Sequence, residues 1–423
     1  MTVEAVMVGA GGRGRLAYGP YALDHPDEVR FVAVAEPDEA RRTEFAEAHG
    51  IPRAGRFRSW EELVDRPPLG VAALNATMDR THHASTLALL AAGYEVLLEK
   101  PMATSPQDCV DLVRAARRAG RMLLICHVLR YAPFFRAIHD IVRSGRLGGL
   151  VSVDWRENLS YFHFAHSFVR GRWSNSSRSA PMILAKCCHD LDQLVWILGS
   201  APCRVASFGS LRHFRRGGVG HEVPERCTDG CPLADECPYF APRVYLELGG
   251  TWFRDAVSLD PSPEAIMRGL RVGPYGRCVY RCDNDAVDHQ VVLLEFPDGQ
   301  AASLTMQAAS HVEGRTIRLD GMRATLLGNE SRNELVIHDH RSSTSEIVRT
   351  QVPEGSGHGG GDFGLMAAFV ASLEGNAGGD HMLTGAEDSL ESHLLAFAAE
   401  EARLSGKVID MNSYRSLVMG GND

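Results

Sequence analysis

Five short apolar runs, separated by helical patterns, organise the first part of the chain. The runs are Val6–Val8, Phe31–Val34, Val71–Leu74, Val96–Leu98 and Leu123–Ile125. Because they are almost continuously apolar, they predict strands of a parallel sheet that is covered on both faces. Between them, Ser105, Pro106 and Asp108 form a capping signal for a helix that is predicted to stop at Gly120. Strands and helices alternating at this spacing predict a doubly wound α/β domain.

The pattern changes after about residue 130, where strands follow one another with no helix between them. A helix over Pro133–Val142 precedes an alternating strand at Val151–Trp155. Later strands are Val291–Phe296, Ala301–Met306, Arg315–Leu319 and Ala324–Leu327, and the first two flank a Pro297-Asp298-Gly299 turn. This series predicts a large, open and mostly antiparallel sheet. Two late helices, Asp362–Leu373 and Glu387–Leu404, are expected to pack between the layers.

These patterns predict two domains, as a chain of 423 residues allows. The first is an N-terminal α/β domain over residues 1–130, and the second is a C-terminal α+β domain over residues 131–423. A polar insertion with a cluster of cysteines, at about residues 212–285, interrupts the second domain. The glycine-rich stretch from Gly355 to Gly361 is interpreted as a flexible loop.

Composition excludes several classes of protein. The 44 Lys and Arg residues against 53 Asp and Glu give a net charge of −9 without a basic run, which argues against nucleic acid as a partner. No apolar run reaches the roughly 18–20 residues of a membrane span. The first five residues carry no basic segment ahead of an apolar one, so no secretory signal is expected and the protein is predicted to be cytoplasmic. The ten cysteines are then expected to be reduced or to bind metal.

A glycine-rich turn, Gly9-Ala10-Gly11-Gly12-Arg13-Gly14, directly follows the first predicted strand and fits the pattern G-x-G-x-x-G. Glycines here allow a tight turn and a close approach of the backbone to a pyrophosphate at a helix N-terminus. Glu36 ends the second strand 22 residues beyond Gly14, where a carboxylate binds the hydroxyls of the adenosine ribose. Because this carboxylate would repel a 2′-phosphate, the predicted cofactor is NAD(H) in preference to NADP(H).

Further motifs follow in a characteristic order and spacing. They are Ala76-Thr77-Met78-Asp79-Arg80-Thr81-His82, Ala92-Gly93-Tyr94-Glu95-Val96, Leu98-Glu99-Lys100-Pro101, His127-Val128-Leu129-Arg130-Tyr131 and Cys188-His189-Asp190-Leu191-Asp192. With these motifs, which together cover essentially the whole chain, the sequence resembles the glucose–fructose oxidoreductase, inositol dehydrogenase and MocA (Gfo/Idh/MocA) family. The resemblance implies a Rossmann domain, a nicotinamide cofactor and a sugar, cyclitol or similar polyol as substrate. It also implies an open sheet that mediates a homodimer or homotetramer.

The resemblance implies roles for individual residues. The cofactor-binding set is Thr77, Asp79, His82, Glu99 and Lys100, and the substrate-binding set includes His127, Arg130, Tyr131 and Asp192. Lys100 and His189 are the predicted catalytic pair. Lys100 follows a parallel strand at the edge where such sheets bind ligands, and its ammonium can polarise a developing alkoxide and share its proton.

His189 precedes a predicted helix over Leu191–Leu198. A helix N-terminus disfavours the imidazolium form, which leaves a neutral base in the cleft. Asp192, one helical turn further on, is expected either to orient His189 or to cap the helix.

One position departs from the family pattern. Many sugar and inositol dehydrogenases of this family carry an aspartate four residues before the histidine, but this chain has Ala185 there, followed by Lys186. The usual aspartate–histidine pair is therefore missing. Lys186 is expected to supply a different polar group to the substrate, unless the substrate needs no such partner.

The segment Glu157–His166, with Trp173 shortly after it, mixes polar donors with aromatic rings. This mixture suits a sugar site, because hydroxyl groups need hydrogen bonds and the sugar ring needs a flat apolar face. An amphipathic surface loop is the alternative. The predicted sugar contacts are His163, His166, Arg170 and Trp173.

Cysteines cluster at Cys227-x3-Cys231-x5-Cys237 in the polar insertion and again at Cys278-x3-Cys282. Four thiolates can hold a structural zinc ion that orders a loop with little core of its own, and four also suit an iron–sulfur cluster. The predicted zinc ligands are Cys227, Cys231, Cys237 and Cys282, with Cys278 as the alternative to Cys282. Unconnected reduced thiols are the other interpretation.

Together these features predict an NAD(H)-dependent oxidoreductase that transfers hydride between nicotinamide and a secondary alcohol of a sugar, cyclitol or glycoside. The first alternative is a redox-neutral glycosidase, in which transient oxidation by bound NAD acidifies a neighbouring proton and the aglycone is eliminated. The second alternative is a non-catalytic regulatory protein that binds NAD only as a ligand, and intact Lys100 and His189 argue against it.

Overall fold

Six parallel strands form the first sheet of the protein, whose computed structural model describes residues 2–219, 222–353, 355–375 and 384–420. The strands are β1 (Val3–Val8), β2 (Val29–Ala35), β3 (Arg56–Phe57), β4 (Ala72–Asn75), β5 (Glu95–Leu98) and β6 (Leu123–Ile125). Their order is β3-β2-β1-β4-β5-β6, so the chain winds outward from β1 in both directions. The five predicted strands are confirmed. The sixth, β3, has only two residues, which is too short to leave a pattern in the sequence.

Helices alternate with these strands and account for their burial. They are α1 (Gly19–Asp24), α2 (Glu39–Ala48), α3 (Trp60–Val64), α4 (His82–Ala91) and α5 (Pro106–Ala119), and a π-helical segment at Gly12–Tyr18 precedes α1. The predicted cap of α5 is confirmed, because the Ser105 hydroxyl oxygen accepts a hydrogen bond from the Asp108 backbone N–H at 3.1 Å. Gly120 ends that helix in the left-handed region, as its position predicts.

Within the described residues, nine strands form the second sheet. They are β7 (Leu150–Ser160), β8 (Arg204–Ser210), β9 (His289–Glu295), β10 (Ala301–Ser310), β11 (Gly314–Gly321), β12 (Ala324–Asn329), β13 (Glu334–Asp339), β14 (Ser345–Val348) and β15 (Ile409–Asp410). Their order is β14-β13-β12-β11-β7-β10-β9-β8-β15. Of these neighbours only β7 and β10 run parallel, so the prediction of a mostly antiparallel sheet is confirmed. The predicted hairpin is β9 with β10, in which Ala301 lies opposite Glu295.

The helices of the second half gather around this sheet and reach back to the first. They are α6 (Pro133–Arg143), α7 (Tyr161–Phe164), α8 (Met182–Ala185), α9 (Cys188–Leu198), α10 (Ala241–Arg243), α11 (Thr251–Val257), α12 (Pro263–Val272), α13 (Gly361–Leu373), α14 (Ala386–Ser405) and α15 (Met411–Met419). Helix α14 contacts β8 and α9 as well as α5 of the first domain, so it packs between the layers as predicted. In the described ranges, no helix is long and apolar enough to cross a membrane.

Candidate active site

The glycine-rich turn after β1 is an open cradle of backbone. Gly9 has a φ of +91°, and a Cβ atom there would lie 2.5 Å from the carbonyl oxygen of Ala76. A Cβ at Gly14 would clash with the carbonyl oxygen of Gly9, so both positions require glycine. By contrast, a Cβ at Gly11 would meet no atom within 4 Å. The turn is therefore tightly packed on its inner side and open at Gly11, and this arrangement fits the pyrophosphate of a dinucleotide.

Glu36 follows β2 and lies beside this turn. Its Oε2 accepts a hydrogen bond from the backbone N–H of Ala10 at 2.7 Å, and its Oε1 accepts one from the backbone N–H of Asp38 at 3.0 Å. These bonds fix a buried negative charge at the edge of the cradle. Each carboxylate oxygen has a further lone pair, so the group can still accept a hydrogen bond from a ribose hydroxyl.

Arg13 fastens the turn to both domains. Its Nη2 donates to Asp362 at 2.7 Å and to the Tyr18 hydroxyl at 2.7 Å, and its Nε donates to Glu99 at 2.5 Å. Burial alone would raise the pKa of Glu99, but the positive charges of Arg13 and Lys100, together with the hydrogen bonds from Tyr18 and Arg13, hold that pKa below its usual value. The Arg13 guanidinium thus binds protein carboxylates. The glycine-rich turn would therefore contact a ligand through its backbone N–H groups.

The predicted cofactor residues after β4 brace the loops around the cradle. Thr77 Oγ1 donates to the side chain of the last residue of β4 at 2.8 Å. The ring nitrogens of His82 lie 2.7 Å from the carbonyl oxygen of Pro101 and 3.2 Å from that of Thr77. Asp79 accepts a hydrogen bond from Trp173 Nε1 at 2.9 Å. His82 and Asp79 therefore connect three separate segments of the chain.

A cavity of about 470 Å³ opens where the glycine-rich turn, the end of β5 and the start of α9 converge. Residues singled out in the sequence that line it are Gly12, Arg13, Lys100, His163, Trp173, Lys186 and His189. The other lining residues include Trp252, His358 and Asp362, which the sequence analysis did not assign to the site. The predicted catalytic pair and the cofactor turn thus meet at one cavity.

Lys100 stands just beyond the carboxyl end of β5, and the peptide bond between Lys100 and Pro101 is cis. Its Nζ donates a hydrogen bond to the backbone carbonyl oxygen of Ala185 at 2.8 Å. An ammonium group carries three N–H donors, so two are left for oxygen atoms of a ligand. Lys100 is therefore positioned by the backbone oxygen of residue 185. At that residue the family pattern has an aspartate side chain.

His189 lies in the first turn of α9 and is 3% exposed. Its Nδ1 has no hydrogen-bond partner among the residues that the structure describes. Burial lowers the pKa of His189 well below its usual value, and the positive charge of Lys100 lowers it further. The imidazole is consequently neutral at pH 7, which is the form that can accept a proton.

A second buried histidine, His393 on α14, is expected to make the fold sensitive to acid. Burial lowers its pKa to about 3, whereas an unfolded histidine titrates near ~6.5. The unfolded chain binds this proton first, so stability that is present above about pH 6.5 is lost as the pH falls toward the folded value. We measure the free energy of unfolding in urea between about pH 6 and 4.5 and compare its slope with pH in the two proteins. We expect the slope of His393→Gln to be smaller than that of the wild type by about 1 kcal/mol per pH unit. The exposed His340→Gln is the control, and equal slopes for wild type and His393→Gln would contradict this expectation.

Two cavity residues lie in or next to the stretch interpreted as a flexible loop. His358 begins a short 3-10 turn with a φ of +49°, in the left-handed region. Its Nδ1 lies 3.1 Å from both carboxylate oxygens of Asp362, which is in the first turn of α13. The donor Arg13 Nη1 also contacts this nitrogen, at the longer distance of 3.4 Å. Because the carboxylate is the nearer partner and only accepts hydrogen bonds, Nδ1 is assigned as the protonated nitrogen. The sequence signal was an imidazole and a carboxylate four positions apart at the start of a predicted helix.

A buried cluster of charges lies behind Lys186. Its Nζ is 3.2 Å from Glu157, which is 2.7 Å from Arg315, and Arg315 Nε donates to Asp190 at 2.8 Å. Burial alone would lower the pKa of Lys186, but the negative charge of Glu157 raises it, so Lys186 presents a cation to the cavity. The chain contains only three lysines, and two of them, Lys186 and Lys100, line this cavity. That scarcity is the signal that marks Lys186 in the sequence.

Models of a known family match both halves of the chain. Residues 3–127 match an oxidoreductase family, NAD-binding Rossmann fold, and residues 140–411 match the C-terminal alpha/beta domain of the same oxidoreductase family. The chain belongs to the Gfo/Idh/MocA family. The resemblance drawn from the sequence motifs is confirmed, and the protein is an oxidoreductase with an NAD-binding Rossmann domain.

Named relatives are also oxidoreductases. YteT of Bacillus subtilis (strain 168), which is named as an oxidoreductase, is 24% identical over 71% of this chain and 71% of its own length. Trans-1,2-dihydrobenzene-1,2-diol dehydrogenase of Bos taurus is 36% identical over 34% of this chain and 42% of that enzyme, so less than half of that enzyme is matched. The crystal structure of an oxidoreductase from Agrobacterium radiobacter in complex with NAD+, L-tartaric acid and magnesium has a TM-score of 0.69. It covers 97% of this chain and 99% of that chain at 15% identity, and it shows the shared fold.

In this Gfo/Idh/MocA protein, four residues that the resemblance implies for the substrate do not line the cavity. Arg130 donates to both carboxylate oxygens of Asp192 at 2.7 and 2.8 Å. His127 is fully buried, with Nε2 3.8 Å from Asp192, and the Tyr131 hydroxyl lies 3.1 Å from another buried hydroxyl. Asp192 therefore neutralises Arg130, in place of the expected roles of orienting His189 or capping α9.

The polar and aromatic segment after β7 is divided between the cavity and the core. His163 and Trp173 line the cavity, together with Trp252 of the insertion. His166 is buried and stacks on a tyrosine of the insertion, with ring centroids 4.5 Å apart. Arg170 is buried too, and its Nε and Nη2 each donate to a carbonyl oxygen of the insertion at 2.7 Å. His166 and Arg170 thus hold the insertion against the domain and do not contact the cavity.

The predicted zinc site is not formed. Across the described parts of the chain, no group of three or more His, Cys, Asp or Glu side chains is arranged to hold a metal ion. Cys227, Cys231 and Cys237 share a small hollow with Cys278, whereas Cys282 Sγ donates to the carbonyl oxygen of Cys278 at 3.3 Å. The structure thus shows no metal site at Cys227, Cys231, Cys237 and Cys282 within the described residues, and all ten cysteines are free thiols.

Proposed function

We propose that this protein is an NAD(H)-dependent oxidoreductase that interconverts a secondary alcohol of a sugar, cyclitol or glycoside with the corresponding ketone. The observation that carries the proposal is the convergence of Gly12, Lys100 and His189 on one cavity. Trp173 and Trp252 in the same wall offer flat apolar faces to a ring-shaped ligand. The related Bos taurus enzyme is named as a diol dehydrogenase, which supports an alcohol as the reacting group.

Lys100 and His189 divide the proton chemistry in this proposal. When bound, the nicotinamide takes up or returns a hydride at the reacting carbon. Lys100 donates a hydrogen bond to the hydroxyl oxygen and stabilises the negative charge that develops on it. His189, which is neutral, accepts the hydroxyl proton. The carbonyl of Ala185 keeps the Lys100 ammonium in place, so no side chain is required at position 185.

A panel assay tests this function. The protein is incubated with NAD and a set of sugars, cyclitols and aryl glycosides, while absorbance reports both reduced cofactor and released aglycone. We expect reduced cofactor in proportion to the alcohol consumed. Release of aglycone without net reduction would instead favour the redox-neutral glycosidase, and cofactor binding with neither signal would favour a non-catalytic binding protein.

We expect NAD(H) to bind at least about tenfold more tightly than NADP(H), because the Glu36 carboxylate would repel a 2′-phosphate. Fluorescence titration of both reduced cofactors measures the ratio. Glu36→Ser should reduce the ratio of the two affinities, because it removes the repelling charge. Glu39 is an exposed carboxylate on α2, and Glu39→Ser should leave the ratio unchanged. Equal affinities of the wild type for both cofactors would contradict this prediction.

The redox-neutral glycosidase is the second candidate, and the number of proton-transfer groups at the cavity favours it. Besides Lys100 and His189, the cavity holds His163 and His358, each bonded to a carboxylate. Oxidation of an alcohol needs one proton acceptor, whereas elimination of an aglycone also needs a base for a carbon-bound proton and an acid for the leaving group. Two further histidines supported by carboxylates suit those roles.

The open face of the second sheet supports a homodimer or homotetramer. Along β8, Val205 and Ser207 are buried, whereas Phe208 is 66% exposed, and Leu293 of the neighbouring β9 is 48% exposed. Large apolar side chains exposed on one sheet face are typical of a surface that is covered in an assembly. Light scattering should give a multiple of the 46.2 kDa chain mass for the wild type and a smaller species for Phe208→Glu.

A further inference from the structure

His358 connects the cavity with solvent. Its side chain is 37% exposed and lines the cavity, whereas the buried His189 is only 3% exposed. The ring centroids of these two histidines are 6.1 Å apart. One water molecule or one substrate hydroxyl can bridge such a separation by hydrogen bonds.

Asp362 prepares His358 to receive a proton. Its two carboxylate oxygens lie 3.1 Å from Nδ1, closer than Arg13 Nη1 at 3.4 Å, so Nδ1 is assigned the proton and Nε2 keeps a free lone pair. Burial alone would raise the pKa of Asp362, but the positive charge of Arg13 holds it far below its usual value. The carboxylate is therefore ionised at neutral pH, and it orients the His358 ring so that Nε2 is free to accept a proton.

His189 lacks such support. Its Nδ1 meets no partner in the described part of the chain, the family aspartate is replaced by Ala185, and Lys100 is close enough for its charge to oppose a second one. A proton that arrives at His189 is therefore held poorly and must move on for the next turnover. Of the histidines in the cavity wall, His358 has both a buried carboxylate behind it and an exposed side chain.

We propose that His358 is the proton relay of this enzyme, which receives the proton released at His189 and passes it to solvent. The O–H bond of the alcohol breaks at His189, an N–H bond forms at His358 Nε2 through one bridging hydroxyl or water, and that proton then leaves to bulk water. The hydride with its two electrons is taken up by the nicotinamide, so the relay carries a proton alone. This assignment rests on the proposed function of the cavity.

His358→Gly tests the relay. Glycine removes the ring and tolerates the left-handed backbone at this position, where φ is +49°. We expect turnover of the best alcohol to fall about tenfold in a weak, bulky buffer, and added imidazole to restore it with saturation, because free imidazole replaces the missing proton carrier. NADH affinity, measured by fluorescence without turnover, should stay within about threefold of the wild-type value. Ser343→Gly, another exposed residue with a positive φ, of 55°, is the matched control and should change neither quantity.

The possible outcomes separate the relay from the function on which it rests. Wild-type turnover in His358→Gly, or a loss that imidazole does not restore, overturns the relay and leaves NAD(H)-dependent oxidation standing. A large loss of NADH affinity in His358→Gly also overturns it, since the ring would then serve cofactor binding. A wild-type protein that oxidises no alcohol with NAD overturns the proposed function and the relay together.

Discussion

Lys100→Met is expected to lower turnover by about 10²-fold or more while NADH affinity stays within a few-fold of the wild-type value. Methionine keeps the length and the apolar stem of lysine, so the cavity wall is preserved. It has no N–H group, so the oxygen that becomes negative during oxidation loses its cation and its hydrogen-bond donor. In the wild type the carbonyl oxygen of Ala185 accepts a hydrogen bond from Lys100 Nζ at 2.8 Å, and the variant lacks this donor.

The small number of lysines makes this experiment well controlled. Of the three in the chain, Lys407 is exposed and does not line the cavity, so Lys407→Met applies the same chemical change elsewhere. Steady-state turnover with the best alcohol and fluorescence titration of NADH are measured for both variants. Near-normal turnover in Lys100→Met would remove Lys100 from the mechanism, and a parallel loss of NADH affinity would assign it to cofactor binding.

Gly11→Val is expected to weaken NAD(H) binding by about 10²-fold or more with little change in thermal stability. A Cβ at Gly11 meets no atom within 4 Å, so we expect the open space there to accept the branched side chain with little effect on the fold. Its φ of −74° is accessible to valine. The same open space is where the cradle would receive a pyrophosphate, so the added methyl groups exclude the ligand from the backbone N–H groups.

Gly149→Val is the matched control for this prediction. Gly149 is exposed and lies next to β7, far from the turn in sequence, and a Cβ atom there would also meet no atom within 4 Å. Melting temperature and NADH affinity are measured for both variants. Unchanged affinity in Gly11→Val would show that the phosphates bind elsewhere, and a collapse of its melting temperature would show that the position serves packing.

Much of the fold is visible in the sequence because its signals are local. Buried parallel strands need continuous apolar runs, and Val6–Val8 and Val96–Leu98 carry this signal in a few consecutive residues. The cap at Ser105 and the stop at Gly120 likewise depend on backbone groups within one turn of the helix. The hairpin of β9 and β10 was predictable for the same reason, since a three-residue turn fixes which residues pair.

The sequence also singled out Lys100 and His189, which the structure brings to one cavity. Lys100 follows the end of a strand, and His189 lies at the start of a helix. Such positions face the ligand-binding edge of an α/β sheet, independently of the other elements of the fold. It was less reliable for residues inside longer segments. His166, Arg170 and Arg130 sit in motifs that suit substrate binding, yet their side chains turn inward and bond to neighbouring segments.

Tertiary structure alone decided which distant side chains meet. Arg13 and Asp362 are 349 positions apart, and only the packing of α13 against the glycine-rich turn joins them and places His358 at the cavity. Trp252 reaches the cavity from the insertion. The cysteines show the same dependence on packing. Cys227, Cys231, Cys237 and Cys278 share a small hollow, yet no three of the described side chains there are arranged to hold a metal ion. Periodicity and capping depend on residues that are close together in the sequence, so they can be recognised there. The contacts of Arg13 with Asp362 and of Trp252 with the cavity depend instead on the packing of elements that are far apart along the chain.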